Sequence, residues 1–193
     1  MSWPDSMQPV SEHTRSTLCK LLMEDASENL ERPRSVVTLL LGVLSARGVQ
    51  VALLYRLAHA AHLRGVQPLA KLLSRLCQHL YVCDIHPAAA IGPGLVLRHP
   101  FGIVIGSEVT LGARVRVFQN VTCGKRMSGD VDRPDGMPTI EDDVHLFAGA
   151  VLLGPIVIGE GSRVGANAVV TKSCAPQSLI MSAQTTVRLI DQP

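Results

Sequence analysis

The chain has 193 residues, a formal net charge of +2, and 47% hydrophobic but only 3% aromatic side chains. That length suits one compact unit or two small ones, and a near-balanced charge with no basic block argues against nucleic acid as a partner. The five cysteines are an odd count without a C-x-x-C pair, which gives neither a disulfide framework nor a zinc site and fits a reducing compartment. Residues 1–10 read as a disordered leader. They have no basic segment followed by an apolar one, so they are not a signal peptide. The longest apolar run, Val36 to Leu44, is too short to span a bilayer. A cytoplasmic protein without membrane attachment is the expectation.

Residues 11–83 read as helical. Ser11 is a candidate N-cap, and Leu18, Leu21, Leu22 and Leu30 lie near helical spacing before Glu31-Arg32-Pro33-Arg34 breaks the pattern. Ser35 is placed to cap a second helix running to about Ala46. Val51, Leu54, Tyr55, Ala58 and His62 mark a third, which Gly65 ends. Leu69, Leu72, Leu73, Leu76 and Leu80 mark a fourth. His59 and His62 read as packing or surface residues. At Cys83-Asp84 strand-like residues replace helix formers, and a boundary is expected there.

From Ile85 a six-residue beat sets in. Ile85, Ile91 and Leu97 form one run. Ile105, Leu111 and Val117 form a second, and Ile140, Leu146, Leu152, Ile158, Val164 and Val170 a third. A period of six fits neither a helix nor a flat strand, but it fits short strands joined by repeated corners and stacked into a solenoid of roughly five coils. The beat breaks twice, around His99-Pro100-Phe101-Gly102 and over the polar loop Gly124–Pro138. Packing explains neither break, and insertions on a rigid scaffold are where chemistry tends to sit.

Four segments resemble the serine O-acetyltransferase family of hexapeptide-repeat acyltransferases. These are Asp84-Ile85-His86-Pro87, Leu97 to Gly106, Gln119-Asn120-Val121-Thr122 and Gly165 to Lys172. The resemblance implies an α+β protein: a helical region (11–83), then a left-handed parallel β-helix (84–172) interrupted by loop 124–138, and a tail (173–193). It also implies an O-acetyltransferase that uses acetyl-CoA as cosubstrate and needs no metal. His99 matches the family's general base and Asp84 the carboxylate that orients it. Gly124 matches a glycine at the thioester end of the site. His86 reads as structural.

Ala148-Gly149 and Ala166-Asn167 fit a narrow channel for the pantetheine arm, and Arg163 and Lys172 are candidates for its phosphates. Phe147 stands where the family usually has glycine.

Two departures concern the acceptor. Arg98 replaces an aspartate that receives the ammonium of serine, and Gly136-Met137 replaces an Arg-His pair, with Arg133 as a shifted substitute for the arginine. A like charge at 98 implies that free L-serine is a poor substrate, by about 100-fold. The family's isoleucine-ended tail that docks into cysteine synthase has no counterpart, so that complex is not expected. The assembly implied is a homotrimer with clefts between neighbours, and pairing of trimers into a hexamer is left open. A sugar or polysaccharide-precursor acetyltransferase and a catalytically silent hexapeptide scaffold are the alternatives.

Overall fold

The structure is a computed structural model that describes residues 18–126 and 136–182. The leader, the expected Ser11 cap and Arg133 lie outside the described residues. Four helices come first: α1 (Leu18–Leu30), α2 (Val36–Ser45), α3 (Arg47–Leu63) and α4 (Gln67–Tyr81). Ser35 caps α2 as expected, its Oγ accepting the Thr38 N–H at 3.0 Å. Gly65 follows α3 with φ +76° and Val82 follows α4 with φ +54°, so left-handed residues stop both helices.

Fourteen short strands follow in chain order. They are β1 (Asp84–Ile85), β2 (Ala90–Ile91), β3 (Val96–Arg98), β4 (Val104–Ile105), β5 (Thr110–Leu111), β6 (Arg116–Phe118) and β7 (Thr122–Gly124). After the long loop come β8 (Thr139–Ile140), β9 (His145–Leu146), β10 (Val151–Leu153), β11 (Val157–Ile158), β12 (Arg163–Val164), β13 (Val169–Val170) and β14 (Leu179–Ile180). They stack into three parallel sheets, ordered β1-β4-β7-β10-β13, β2-β5-β8-β11 and β3-β6-β9-β12-β14, and form the left-handed β-helix. We name these sheets A, B and C.

The register explains the six-residue beat. In sheet A the partners run Ile85↔Ile105↔Cys123↔Leu152↔Val170. In sheet B they run Ile91↔Leu111↔Ile140↔Ile158, and in sheet C Leu97↔Val117↔Leu146↔Val164. All of these side chains point inward and are buried. Coiling continues past Lys172: Cys174 bridges Ile158, and β14 pairs with β12.

The helices seal the first coil. The Arg56 guanidinium, 1% exposed, bonds both Asp25 carboxylate oxygens at 2.9 and 3.1 Å and the carbonyls of Ile91 and Gly92 at 2.6 Å each. Asp25 also accepts the Leu95 N–H, and Asn29 accepts the Leu97 N–H while donating to the Leu95 carbonyl. The outer edge of β3 is thereby paired by side chains of α1. Gly48 lets α3 approach β3 closely, since a Cβ there would collide with the Leu97 carbonyl and the Asn29 side chain. Tyr55 donates to the Ala89 carbonyl at 2.7 Å, and His59 stacks on Tyr55 and donates from Nδ1 to the Pro87 carbonyl at 2.7 Å. His59 is therefore a packing residue, as its sequence context suggests.

The leucines that mark α4 differ from an ordinary core face. Leu69, Leu72, Leu76 and Leu80 are exposed, and the helix buries Ala70 and Cys77 instead. Among the described residues no single helix is long and apolar enough to cross a membrane.

Candidate active site

The β-helix has three corners. At the one leading from sheet C into sheet A, a left-handed residue stands two places before each strand: Val82, Gly102, Asn120, Gly149 and Asn167. The N–H groups of Gly102, Asn120, Gly149 and Asn167 each donate to the coil above, at 2.8–2.9 Å. In the second coil three residues, 119–121, make this corner; in the first, five residues, 99–103, link Arg98 to Val104. The two extra residues form an outward step that carries His99, exposed and itself left-handed at φ +53°. Pro100 and Ile103 are buried beneath it. The insertion thus displays an imidazole on an anchored turn.

Asp84 opens β1 on the same corner. Its N–H donates to the Ile103 carbonyl at 2.8 Å, while Gly102 donates to Val82 at 2.9 Å, so the Asp84 and His99 backbones are tied together. The Asp84 carboxylate is held by Gln78 of α4, whose Nε2 donates to Oδ1 at 2.7 Å. Nothing in the repeat pattern signals Gln78, because it lies in the helix before the repeat starts.

Below His99 the same corner carries Asn120, then Ala148-Gly149, then Ala166-Asn167. The expected channel residues therefore form one column. Gly149 lies at φ +71°, where a Cβ is strained, and an added Cβ would also displace the Asn167 side-chain oxygen, so the turn favours glycine there. Gln119 Oε1 is buried at this corner without a hydrogen-bond partner among the described residues. Phe118, at the end of β6, and Phe147, just after β9, meet at a tilt beside the column, ring centroids 5.2 Å apart.

The other expected residues lie elsewhere. Gly124 ends β7 at the far side of sheet A, where loop 125–138 departs, and Lys172 follows β13 on that side. A Cβ on Gly124 would meet nothing nearer than 3.7 Å, and its φ is not positive, so neither packing nor torsion requires glycine. Arg163 lies on the outer face of sheet C beside His145, opposite Arg116. Desolvation, with these two arginines, lowers the His145 pKa. Burial pushes the Cys123 thiol up to about 12, which leaves it inert beside Gly124.

The acceptor residues that the structure describes have partners of their own. Arg98 does not stand as a free cation: its Nη2 bonds Glu31 Oε1 at 2.7 Å, at the end of α1. Met137 packs against the solenoid core and lies beside Gly106. The sequence offers no hint of Glu31, which is distant in the chain and not part of a repeat.

A family model for bacterial transferase hexapeptide (six repeats) matches residues 137–172. A serine acetyltransferase of Mycobacterium tuberculosis is 38% identical over 163 residues, covering 84% of this chain and 70% of that protein. The chain belongs to the serine acetyltransferase family. A plasmid-borne family member from Synechococcus elongatus is also 38% identical, over 71% of this chain but only 45% of its own length. The fold agrees: serine acetyltransferase isoform 3 of Entamoeba histolytica, solved with cysteine, superposes with a TM-score of 0.78 at 28% identity, over 91% of this chain and 62% of that one. A serine acetyltransferase in complex with CoA gives 0.74 at 27% identity, covering 88% and 68%. The chain therefore spans less than two thirds of some of the family members it matches.

Proposed function

We propose that the chain is a CoA-dependent O-acetyltransferase that acts on the hydroxyl of a small serine-like acceptor. The observation that carries this reading is the outward step bearing His99, set at the head of a column of small corner residues. His99 removes the acceptor hydroxyl proton as the oxygen attacks the thioester carbonyl. Asp84, whose carboxylate is steadied by Gln78, is assigned the role of orienting the imidazole. The tetrahedral intermediate then expels the coenzyme A thiolate, which takes the proton back from His99.

Coenzyme A is assigned to the column formed by Ala148, Gly149, Ala166 and Asn167, with Arg163 and Lys172 as candidates for its phosphates. Gly124 is assigned to the oxyanion through its backbone N–H, since nothing else requires glycine there. His99 precedes the strands of sheet A and Gly124 follows them, so the two stand at opposite sides of that sheet. That separation is bridged if a homotrimer sets His99 of one chain against Gly124 of its neighbour across a shared cleft, and this is the assembly assigned. The resemblance in sequence implies the same assembly.

The Glu31–Arg98 pair carries no net charge, so serine is not rejected by an unpaired arginine. Glu31 Oε2 stays available to an ammonium group, and no observation favours a sugar acceptor. The test is release of free thiol from acetyl-CoA, with L-serine against neutral hydroxyl compounds, in wild type and His99→Ala. Turnover on serine that needs His99 supports the reading. Turnover without His99, or none on any hydroxyl acceptor, overturns it.

A further inference from the structure

A cleft of about 400 Å³ lies between the polar side of α4 and the first turn of the β-helix. Lys71, Arg75 and Gln78 line it from α4, facing Asp84 and His86, with His62 at the end of α3. The hexapeptide chemistry does not use this cleft, apart from the shared wall at Asp84. Its charge is uneven. Asp84 is its one carboxylate and is held by Gln78, whereas Lys71 and Arg75 form no ion pair among the described residues. With a rise of about 1.5 Å per residue, Arg75 and Lys71 stand roughly 4.5 and 10 Å up the helix from Gln78. His86 Nδ1 accepts the Ala88 N–H, which puts the neutral ring's proton on Nε2 as a further donor.

We propose that this cleft is an anion-binding site that takes a phosphorylated or polycarboxylate small molecule, with Arg75 and Lys71 as its principal contacts. Two unpaired cations one helical turn apart fit the oxygens of a diphosphate-sized group. The carboxylate at the far end turns the anion toward the upper half of the cleft. The site opens beside Asp84, so its occupant is either an anionic arm of the acceptor or a separate effector next to the acceptor.

The experiment titrates pyrophosphate by calorimetry into the whole protein saturated with coenzyme A, so that phosphate contacts of the cosubstrate are filled. The proteins compared are wild type, Lys71→Gln/Arg75→Gln, and Arg64→Gln as a control that removes a cation outside the cleft. Binding should weaken at least about tenfold in the double variant and stay at the wild-type level in the control. Both substituted cations are exposed, and a thermal melt checks that the variant is folded. Equal binding in wild type and the double variant, or none in either, overturns the proposal. Displacement of pyrophosphate by saturating serine identifies the occupant as part of the acceptor, and simultaneous binding identifies an effector; either result upholds the site. The readout is binding, so an enzyme inactive on serine would sink the proposed function without touching this inference.

Discussion

The buried Asp25–Arg56 pair sets a measurable stability. Asp25→Ala removes the carboxylate that meets Nε and Nη2 and leaves a guanidinium at 1% exposure with only the Ile91 and Gly92 carbonyls. Breaking such a pair costs about 3–5 kcal/mol. The same change orphans the Leu95 N–H, a further cost of about 1–3 kcal/mol. The two overlap, so a combined loss of roughly 4–6 kcal/mol is expected, close to the whole stability of a marginal domain at about 5–15. Asp25→Asn keeps an acceptor for Leu95 and should lose about half as much. Urea unfolding followed by circular dichroism reads the effect as a midpoint shift of about 2–3 M for the alanine variant. Arg56→Met should cost a similar amount, and the Asp25→Ala/Arg56→Met double variant clearly less than the sum. A loss below about 1 kcal/mol for Asp25→Ala, or strict additivity, would refute the seam as a coupled network.

Four further outcomes follow from the site and the seam. His99→Ala should lower turnover by about 100-fold or more with coenzyme A affinity unchanged, checked by thiol release and calorimetry. Glu31→Gln frees the Arg98 guanidinium and should reduce kcat/KM for L-serine about three- to tenfold more than for a neutral hydroxyl acceptor; an equal effect on both would remove Glu31 from acceptor selection. Gly149→Ala, at φ +71° and against Asn167, should destabilise by about 1–3 kcal/mol in chemical denaturation. Desolvation lowers the His59 pKa from its ordinary 6.5, so its neutral form is favoured in the folded state. Stability tied to His59 is therefore fully present above 6.5 and lost as pH falls through the folded value, and His59→Gln should flatten that decline in melts between about pH 7 and 5.

How much of this was legible in the sequence depends on the range of the signal. The solenoid was legible because its contacts recur: one aliphatic every six residues fixes the inward columns, as the Ile85-to-Val170 and Leu97-to-Val164 registers show. His99 was legible because an insertion breaks a repeat, and the break marks the step. Pairings between regions without a common period were not. Asp25 meets Arg56 across 31 residues, Glu31 meets Arg98 across 67, and neither acidic residue stands in a pattern. Arg98 therefore shows in the sequence as a charge without its partner. The α4 leucines misled differently: helical spacing identified the helix, but periodicity does not say whether the apolar side has a neighbour.

The Asp25 and Asn29 contacts to β3 also bear on polymerisation. A stack of parallel coils has two open ends, and each exposes strand edges able to template another coil. At the first coil, α1 supplies acceptors to the Leu95 and Leu97 amides and a donor to the Leu95 carbonyl. These side chains occupy positions that a further strand would take. The helical region is thus a terminator of coil growth, and it keeps a fold with fibre-like geometry from extending end to end.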